Sequence, residues 1–448
     1  MSYAKFTLNS LIFLCCSHQI FETHASEIEQ IPGTVLEDFL DAAIDFSPEL
    51  QIASENLNIS SARKRAANGQ LLPQINAGVN LSDNRLDQLN RIQNFNGERY
   101  YLSLTQTLFN WQQFALRKQA HLREDQSEEE YYYQLALLLT EVSDRYFNVL
   151  SAKDALDSIE SEIDALKNQL DQVESLYSRQ LAQITDLYQI QASLAGAEAA
   201  QLQLGAELEL SRERLRSISG LEVGPLNELR DEIEISPLEF NQDYYVGQAR
   251  DKNNRVLAGE YALAAAKEGV SERRGAYLPQ VSLIAQRQDS NVGFENLRIN
   301  QTDNTYFGVN VSIPIYAGGR NKAGLSEAMS MRSIAEYELR ATKLQAREIV
   351  RSTFLQVKAS SIQTSAAEIL VESTALAAEA MQQGFSLGTV TSVDVLNAIR
   401  DQYAAERELQ RIRYDHIRYL LLLKRETGTL EAEDMLEVGS WLEPPSAQ

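Results

Sequence analysis

The stretch TYFGVNVSIPIYAGGR, residues 305–320, changes character part-way along. As far as Ile315 it alternates. Phe307, Val309, Val311, Ile313 and Ile315 fall on one side, and Gly308, Asn310, Ser312 and Pro314 on the other, which is the two-residue period of a β-strand. Gly318 and Gly319 then make a turn, and from Arg320 to about Ser386 the chain contains no proline and reads as one helix, roughly 100 Å long at 1.5 Å per residue. A strand about as long as a bilayer core is thick, feeding directly into a helix of that length, admits few architectures.

Three other segments alternate in the same way. In 73–82, Ile75, Ala77, Val79 and Leu81 oppose Gln74, Asn76, Asn80 and Ser82. In 100–109, Tyr100, Leu102, Leu104 and Leu108 oppose Ser103, Thr105 and Thr107. In 279–288 the set Val281, Leu283 and Ala285 is weaker, and the opening stretch extends its own strand over 306–316. Each is about ten residues, the length a tilted strand needs to cross hydrocarbon. The polar, Asn-rich segments 83–98 and 289–304 read as exposed loops, and Tyr100, Tyr101, Phe109, Trp111, Tyr277, Tyr306, Phe307 and Tyr316 sit towards strand ends, as aromatic girdles do. A soluble four-stranded sandwich alternates identically, so the strands alone leave that alternative open.

The chain is written twice. At an offset of about 206 to 208 residues, QLLPQINAGVNLSDN (70–84) falls on AYLPQVSLIAQRQDSN (276–291), YYLSLTQTLFN (100–110) on TYFGVNVSIPIYA (305–317), and RQLAQITDLYQIQA (179–192) on SLGTVTSVDVLNA (386–398). Three landmarks in one order define a first repeat over 26–230 and a second over 231–430, followed by a tail, 431–448. Shorter helices over 34–69 and 241–275 open the repeats, with Ser47-Pro48 marking a helix start. Long helical hairpins, 113–219 and 320–428, close them. Leu156, Ile159, Ile163, Leu166, Leu170, Val173 and Tyr177 recur at intervals of three and four, a coiled-coil seam, as do Leu409, Ile412, His416, Tyr419 and Leu423.

The second hairpin breaks at Gly388, which is free to turn left-handed, and Thr391 is placed to cap the next helix with Asp394 as the capping-box partner. The first tip, around Gln180 to Asp186 and including Thr185, contains no glycine.

Composition removes several functions. The formal charge is −22, from 41 basic and 63 acidic residues with no basic stripe, so nucleic acid is not an expected partner. The first 25 residues read as a secretory signal peptide; lipidation at Cys16 is the competing reading, but LIFLC lacks the usual small residues. Both cysteines, Cys15 and Cys16, lie there, leaving the processed chain without thiol chemistry. No run of 18 apolar residues follows, so no transmembrane helix is expected. His121 and His416 are far apart and belong to a surface or a seam, and Gly318-Gly319-Arg320-Asn321-Lys322 lacks phosphate-loop spacing. No catalytic constellation, metal site or cofactor is expected.

Backbone groups in lipid must all be paired, so a membrane sheet closes on itself, and four strands cannot close. Copies of the chain must share the barrel. Two copies would give eight strands and three would give twelve; strand spacing does not choose.

The sequence resembles the outer-membrane efflux, or TolC-type, channel family. The likeness is carried by LPQ opening a strand in both repeats (72–74 and 278–280), SLTQTLFN (103–110), SIPIYAGG (312–319) and LGTVTSVDVLNA (387–398). It implies a mixed fold, mainly α with a β-barrel portion: a homotrimer with a twelve-stranded barrel in outer-membrane lipid, continued by an α-helical periplasmic tunnel. It implies an exit channel of a tripartite efflux or type I secretion system, opened by a periplasmic adaptor (membrane fusion) protein and an inner-membrane ABC or proton-driven transporter.

By the same resemblance Asp394 lines the periplasmic aperture. Asn397 stands where relatives carry a second aspartate. Val390 stands where many carry an arginine that latches to the position of Asp186, so that latch cannot form here. Tyr100, Leu102, Leu104, Phe307, Val309, Val311 and Ile313 are the expected lipid-facing or girdle residues. The rival reading is a periplasmic or surface coiled-coil structural or adaptor protein.

Overall fold

The computed structural model describes residues 34–88, 91–230, 238–293 and 297–445. The expected signal peptide and both cysteines lie outside the described residues.

Two short helices, α1 (Leu36–Phe46) and α2 (Pro48–Gly69), lead into strands β1 (Gln74–Gln88) and β2 (Arg91–Phe109). A helix of 68 residues, α3 (Trp111–Ser178), turns back as α4 (Ile184–Ser219), and a short strand, β3 (Glu228–Leu229), joins the halves. The sequence of elements then recurs: α5 (Gln242–Lys252), α6 (Asn254–Gly275), β4 (Gln280–Val292), β5 (Arg298–Ser312), α7 (Arg320–Ser386) and α8 (Ser392–Thr427). Leu36 and Gln242, Pro48 and Asn254, and Gln74 and Gln280 open corresponding elements, each pair 206 residues apart. Even the interruption is copied: Ser47 accepts from the Leu50 N–H at 3.3 Å to start α2, and Asn253 accepts from the Val256 N–H at 3.1 Å to start α6.

The strands form one antiparallel sheet in the order β1-β2-β4-β5, which leaves β1 and β5 as unpaired edges. Facing positions carry the apolar sets across it: Ile75 opposite Leu104, Val79 opposite Tyr100, Leu104 opposite Ala285, Ala285 opposite Phe307, and Val281 opposite Val311. Phe307 is 75% exposed, and Ile75, Val79, Leu102 and Val309 are also bare. So many bare apolar side chains on one face are rare on ordinary soluble surfaces.

The expected loops 83–98 and 289–304 are corrected. Most of them is strand, pairing Asp83 with Asn96, Leu86 with Gln93, and Asp289 with Asp303. β2 therefore spans 19 residues, and Tyr100 lies near its middle rather than its end. Ile313 falls just beyond β5, ahead of Pro314, which cannot donate to a ladder. Tyr101 lies over Gly78 on the neighbouring strand, on the face opposite Tyr100.

The expected tail is also corrected. Residues Ala432–Ser440 form α9, and Leu442–Glu443 form β6, which pairs with β3. Met435, Val438 and Leu442 enter the main core, against Tyr146, Phe147 and Leu150 of α3 and Tyr414, Ile417 and Leu421 of α8. The chain end is thus a collar part-way along the hairpins. Here the Tyr146 hydroxyl donates to the carbonyls of Thr34 (3.1 Å) and Asn227 (3.0 Å). The Tyr414 hydroxyl donates to Asp154 at 2.6 Å, while burial pushes that carboxyl up to about 6.

Of the two seams, Ile159, Ile163, Leu166 and Val173 are buried, and Tyr177 is exposed near the tip. On α8 the seam residues Ile412, His416 and Leu423 are buried, but so are Tyr414, Ile417 and Leu421 on another face, because α8 packs on α3 as well as on α7. His416 Nδ1 lies 2.7 Å from Ser360 Oγ in the α7–α8 seam, and burial holds its pKa below the ordinary value. His121 sits on the surface of α3, 3.7 Å from Glu124 and from Asp125. No described helix is long and apolar enough to cross a membrane.

Candidate functional site

At the ends of the hairpins farthest from the sheet lie two tips with one backbone design. Gly388 has φ 71°, the left-handed conformation, and lets α7 end and α8 begin four residues later. The equivalent position in the first tip, 208 residues earlier, is Gln180, with φ 60°, the only non-glycine residue with positive φ among the described residues. The turn is kept although the glycine is not. For a residue with a β-carbon this conformation costs about 1 to 2 kcal/mol. Gln180→Gly is therefore expected to stabilise the hairpin by about 0.5 to 1 kcal/mol, since the freer unfolded chain offsets part of the gain. The check is the thermal midpoint of the purified oligomer; a midpoint that falls would show that Gln180 is not strained.

Both tips restart with a capping box. At the second, the Thr391 hydroxyl donates to Asp394 at 2.6 Å, the Thr391 N–H donates to Asp394 at 3.0 Å, and the Asp394 N–H donates to the Thr391 hydroxyl at 3.3 Å. These bonds from the Thr391 side chain and backbone hold the Asp394 carboxyl below its usual range, so it is charged at neutral pH. Asp394 and Asn397 are both exposed, three residues apart in the first and second turns of α8. At the first tip the Gln183 N–H donates to Asp186 at 3.2 Å, and the Thr185 hydroxyl donates to the Gln183 side chain at 3.3 Å. A cleft of 710 Å³ separates the tips, with Thr185 and Asp186 on one side and Gly388 and Thr391 on the other.

Behind the cleft the tips meet through apolar side chains. Val390, half-buried, packs in one cluster with Ala182, Leu187, Ile190, Phe385, Val395 and Ile399. Ala182 and Val390 occupy equivalent positions of the two tips. Val390 thus lends a β-branched side chain to the apolar cluster behind the tips. The tips also expose apolar side chains outward, Leu181 at 72% and Leu387 at 78%.

Above the cluster is a link that periodicity did not identify. Arg407 of α8 donates to Glu162 of α3 at 3.0 Å and to Ser158 at 3.3 Å, and the Ser158 hydroxyl donates to the Tyr403 carbonyl at 3.4 Å. Glu162 is buried, and Arg407 is the cation that meets it there. One signal existed: Arg407 is four residues from Tyr403 and seven from Tyr414, which puts a cation on a face otherwise aimed at the core. Glu162, between the seam residues Ile159 and Ile163, is its counterpart.

The chain as a whole has counterparts among known proteins. The family model described as "Outer membrane efflux protein" matches residues 39–221 and 245–429, one match per repeat. The outer membrane protein TolC of Vibrio cholerae serotype O1 is 28% identical over 411 residues, covering 91% of this chain and 93% of its own. The alkaline protease secretion protein AprF of Pseudomonas aeruginosa is 24% identical over 406 residues, covering 88% and 84%. The crystal structure of the outer membrane protein VceC from Vibrio cholerae superposes with a TM-score of 0.76 at 18% identity, covering 88% of this chain and 96% of that one. A duplicated match spanning both repeats, in the order the fold requires, places this chain in the outer membrane efflux protein family.

Proposed function

We infer that the protein is an outer-membrane exit channel of a Gram-negative bacterium, a passive conduit for an efflux or type I secretion system. The observation that carries this reading is the four-stranded sheet with an apolar outer face and two unpaired edges, mounted on helical hairpins of 67 to 68 residues per long helix. Because β1 and β4 run one way and β2 and β5 the other, β5 of one copy meets β1 of the next antiparallel, and three copies close a twelve-stranded barrel. The hairpins then form a tunnel across the periplasm whose narrow end is made by six tips. A periplasmic coiled-coil structural or adaptor protein has no use for a bare apolar sheet of membrane height, and is not favoured.

In this assembly Asp394 of three copies rings the aperture, with Asn397 beside it, and Asp186 lies on the neighbouring tips. Tyr100, Leu102, Leu104, Phe307, Val309, Val311 and Ile313 face lipid or its border. A periplasmic adaptor docks at the tips, where Leu181 and Leu387 offer apolar contacts, and an inner-membrane ABC or proton-driven transporter supplies the energy.

The test is reconstitution in planar bilayers. The purified trimer conducts and prefers potassium to chloride, and Asp394→Ala lowers that preference about threefold by removing three converging charges. An oligomer that inserts but does not conduct overturns the channel, and an unchanged ion preference in Asp394→Ala removes the aspartate ring.

A further inference from the structure

Near the sheet, four helices surround a cavity of 630 Å³ touched by α2, α3, α6 and α7. Packing runs α2 on α3, α3 on α6 and α6 on α7, so α2 and α7 are the outer members of the series. A space reached by both outer members lies on the concave side of a curved wall. In a closed assembly of such walls that side is the lumen, and this step rests on the channel reading above.

The cavity is lined mainly by small and amide side chains, among them Gln70, Gln119, Ala265 and Ala328. Among the described residues the only charged ones lining it are Arg63 and Arg123, both exposed, with no carboxylate. Neither guanidinium has an acidic partner among the described residues. Their common level is fixed by their neighbours: Lys64 pairs with Glu124 across the α2–α3 seam, and Ser60 Oγ lies 2.7 Å from Ser127 Oγ. One residue along a helix is a turn of about 100°, so the paired Lys64 and Glu124 occupy the seam and leave Arg63 and Arg123 on the cavity side. Arg63 is six residues before the end of α2, hence about 9 Å along the axis from the helix end that leads into the sheet. Further from the sheet the same groove carries Glu130 and Glu338 with Arg255, so acidic groups outnumber basic ones there.

We propose that Arg63 and Arg123 form a cationic girdle inside the tunnel just below the barrel, a binding site for the oxyanionic groups of molecules in transit. Three copies place six unpaired guanidinium groups around one level of a water-filled tube whose protein carries a net −22 per chain. Each guanidinium presents a planar fork suited to carboxylate, phosphate or sulfate, and low-dielectric walls concentrate its field. The tunnel thus carries opposite signs at its two ends: negative at the Asp394 tips and positive under the barrel.

The experiment measures single-channel current in reconstituted trimers at low ionic strength, where screening is weakest, with inorganic pyrophosphate added on the barrel side. Wild-type current is expected to fall with rising pyrophosphate. In Arg63→Gln/Arg123→Gln the half-blocking concentration rises about tenfold or more, the loss expected from charge-assisted hydrogen bonds. Arg63→Lys/Arg123→Lys retains an intermediate block, because charge is kept and the fork is lost. Both variants are compared as trimers on unheated gels, and Arg123→Gln alone serves if the double variant fails to assemble. Equal block in wild type and glutamine variant, or no block in either, overturns the girdle while leaving the channel intact. A wild-type trimer without conductance overturns the channel reading itself, and the girdle with it.

Discussion

Val309→Pro or Asn310→Pro abolishes the heat-sensitive trimer band on unheated gels and with it export, whereas Val309→Ile leaves both unchanged. The two residues are consecutive in β5, an edge strand whose inner side pairs with β4. Successive N–H groups point to opposite sides of a strand, so one of the two prolines removes a donor aimed at the next copy and the other a donor aimed at β4. In hydrocarbon the stranded carbonyl has no water to turn to, and each unsatisfied group costs several kcal/mol. Closure of the ring repeats the loss at three junctions. Trimers of normal heat stability in both proline variants would mean that β5 is not a subunit junction, and the barrel would have to be built some other way.

Arg407→Ala is expected to raise conductance severalfold without reducing the amount of trimer. Glu162 is buried and receives its hydrogen bond at 3.0 Å from Arg407, which ties α8 to α3 a few turns above the tip. Hydrogen bonds to charged groups contribute about 1.5 to 3 kcal/mol each, and removing the arginine leaves a buried carboxylate that gains by swinging towards water. The apolar cluster that Val390, Ala182 and Leu187 pack against is then the main remaining restraint on the tips. Glu162→Gln, which keeps the shape and an acceptor for Arg407, should give a smaller rise. Closed-state conductance identical to wild type in Arg407→Ala would show that the aperture is held by the tip cluster alone.

How far each feature was legible depended on how local its cause was. Phe307, Val309 and Val311 announced a strand because one face meets an apolar medium and the other does not. The segments around Asp83 and Asp289 were misread as loops for the complementary reason: their strands continue with polar residues on both faces, which erases the alternation although the ladder runs on. Gly388, Thr391 and Asp394 could be read because a turn and a capping box are completed within a few residues. Gln180 could not, since its left-handed backbone is imposed by the hairpin it closes and contradicts its own preference. The tail was misread because α9 and β6 are stabilised by α3 and β3, far away in sequence.

By itself, then, the sequence determined the duplication, the periods of strand and helix, the sites of the turns and the family, because each is written in neighbouring residues or in their repetition. Tertiary structure decided the β1-β2-β4-β5 order with its open edges, the Arg407–Glu162 tie between residues 245 apart, and the meeting of Arg63 with Arg123 on one wall. Contacts of that kind carry no local period. They come into being only when whole helices pack, and the free energy that fixes them belongs to surfaces that no short stretch of chain contains.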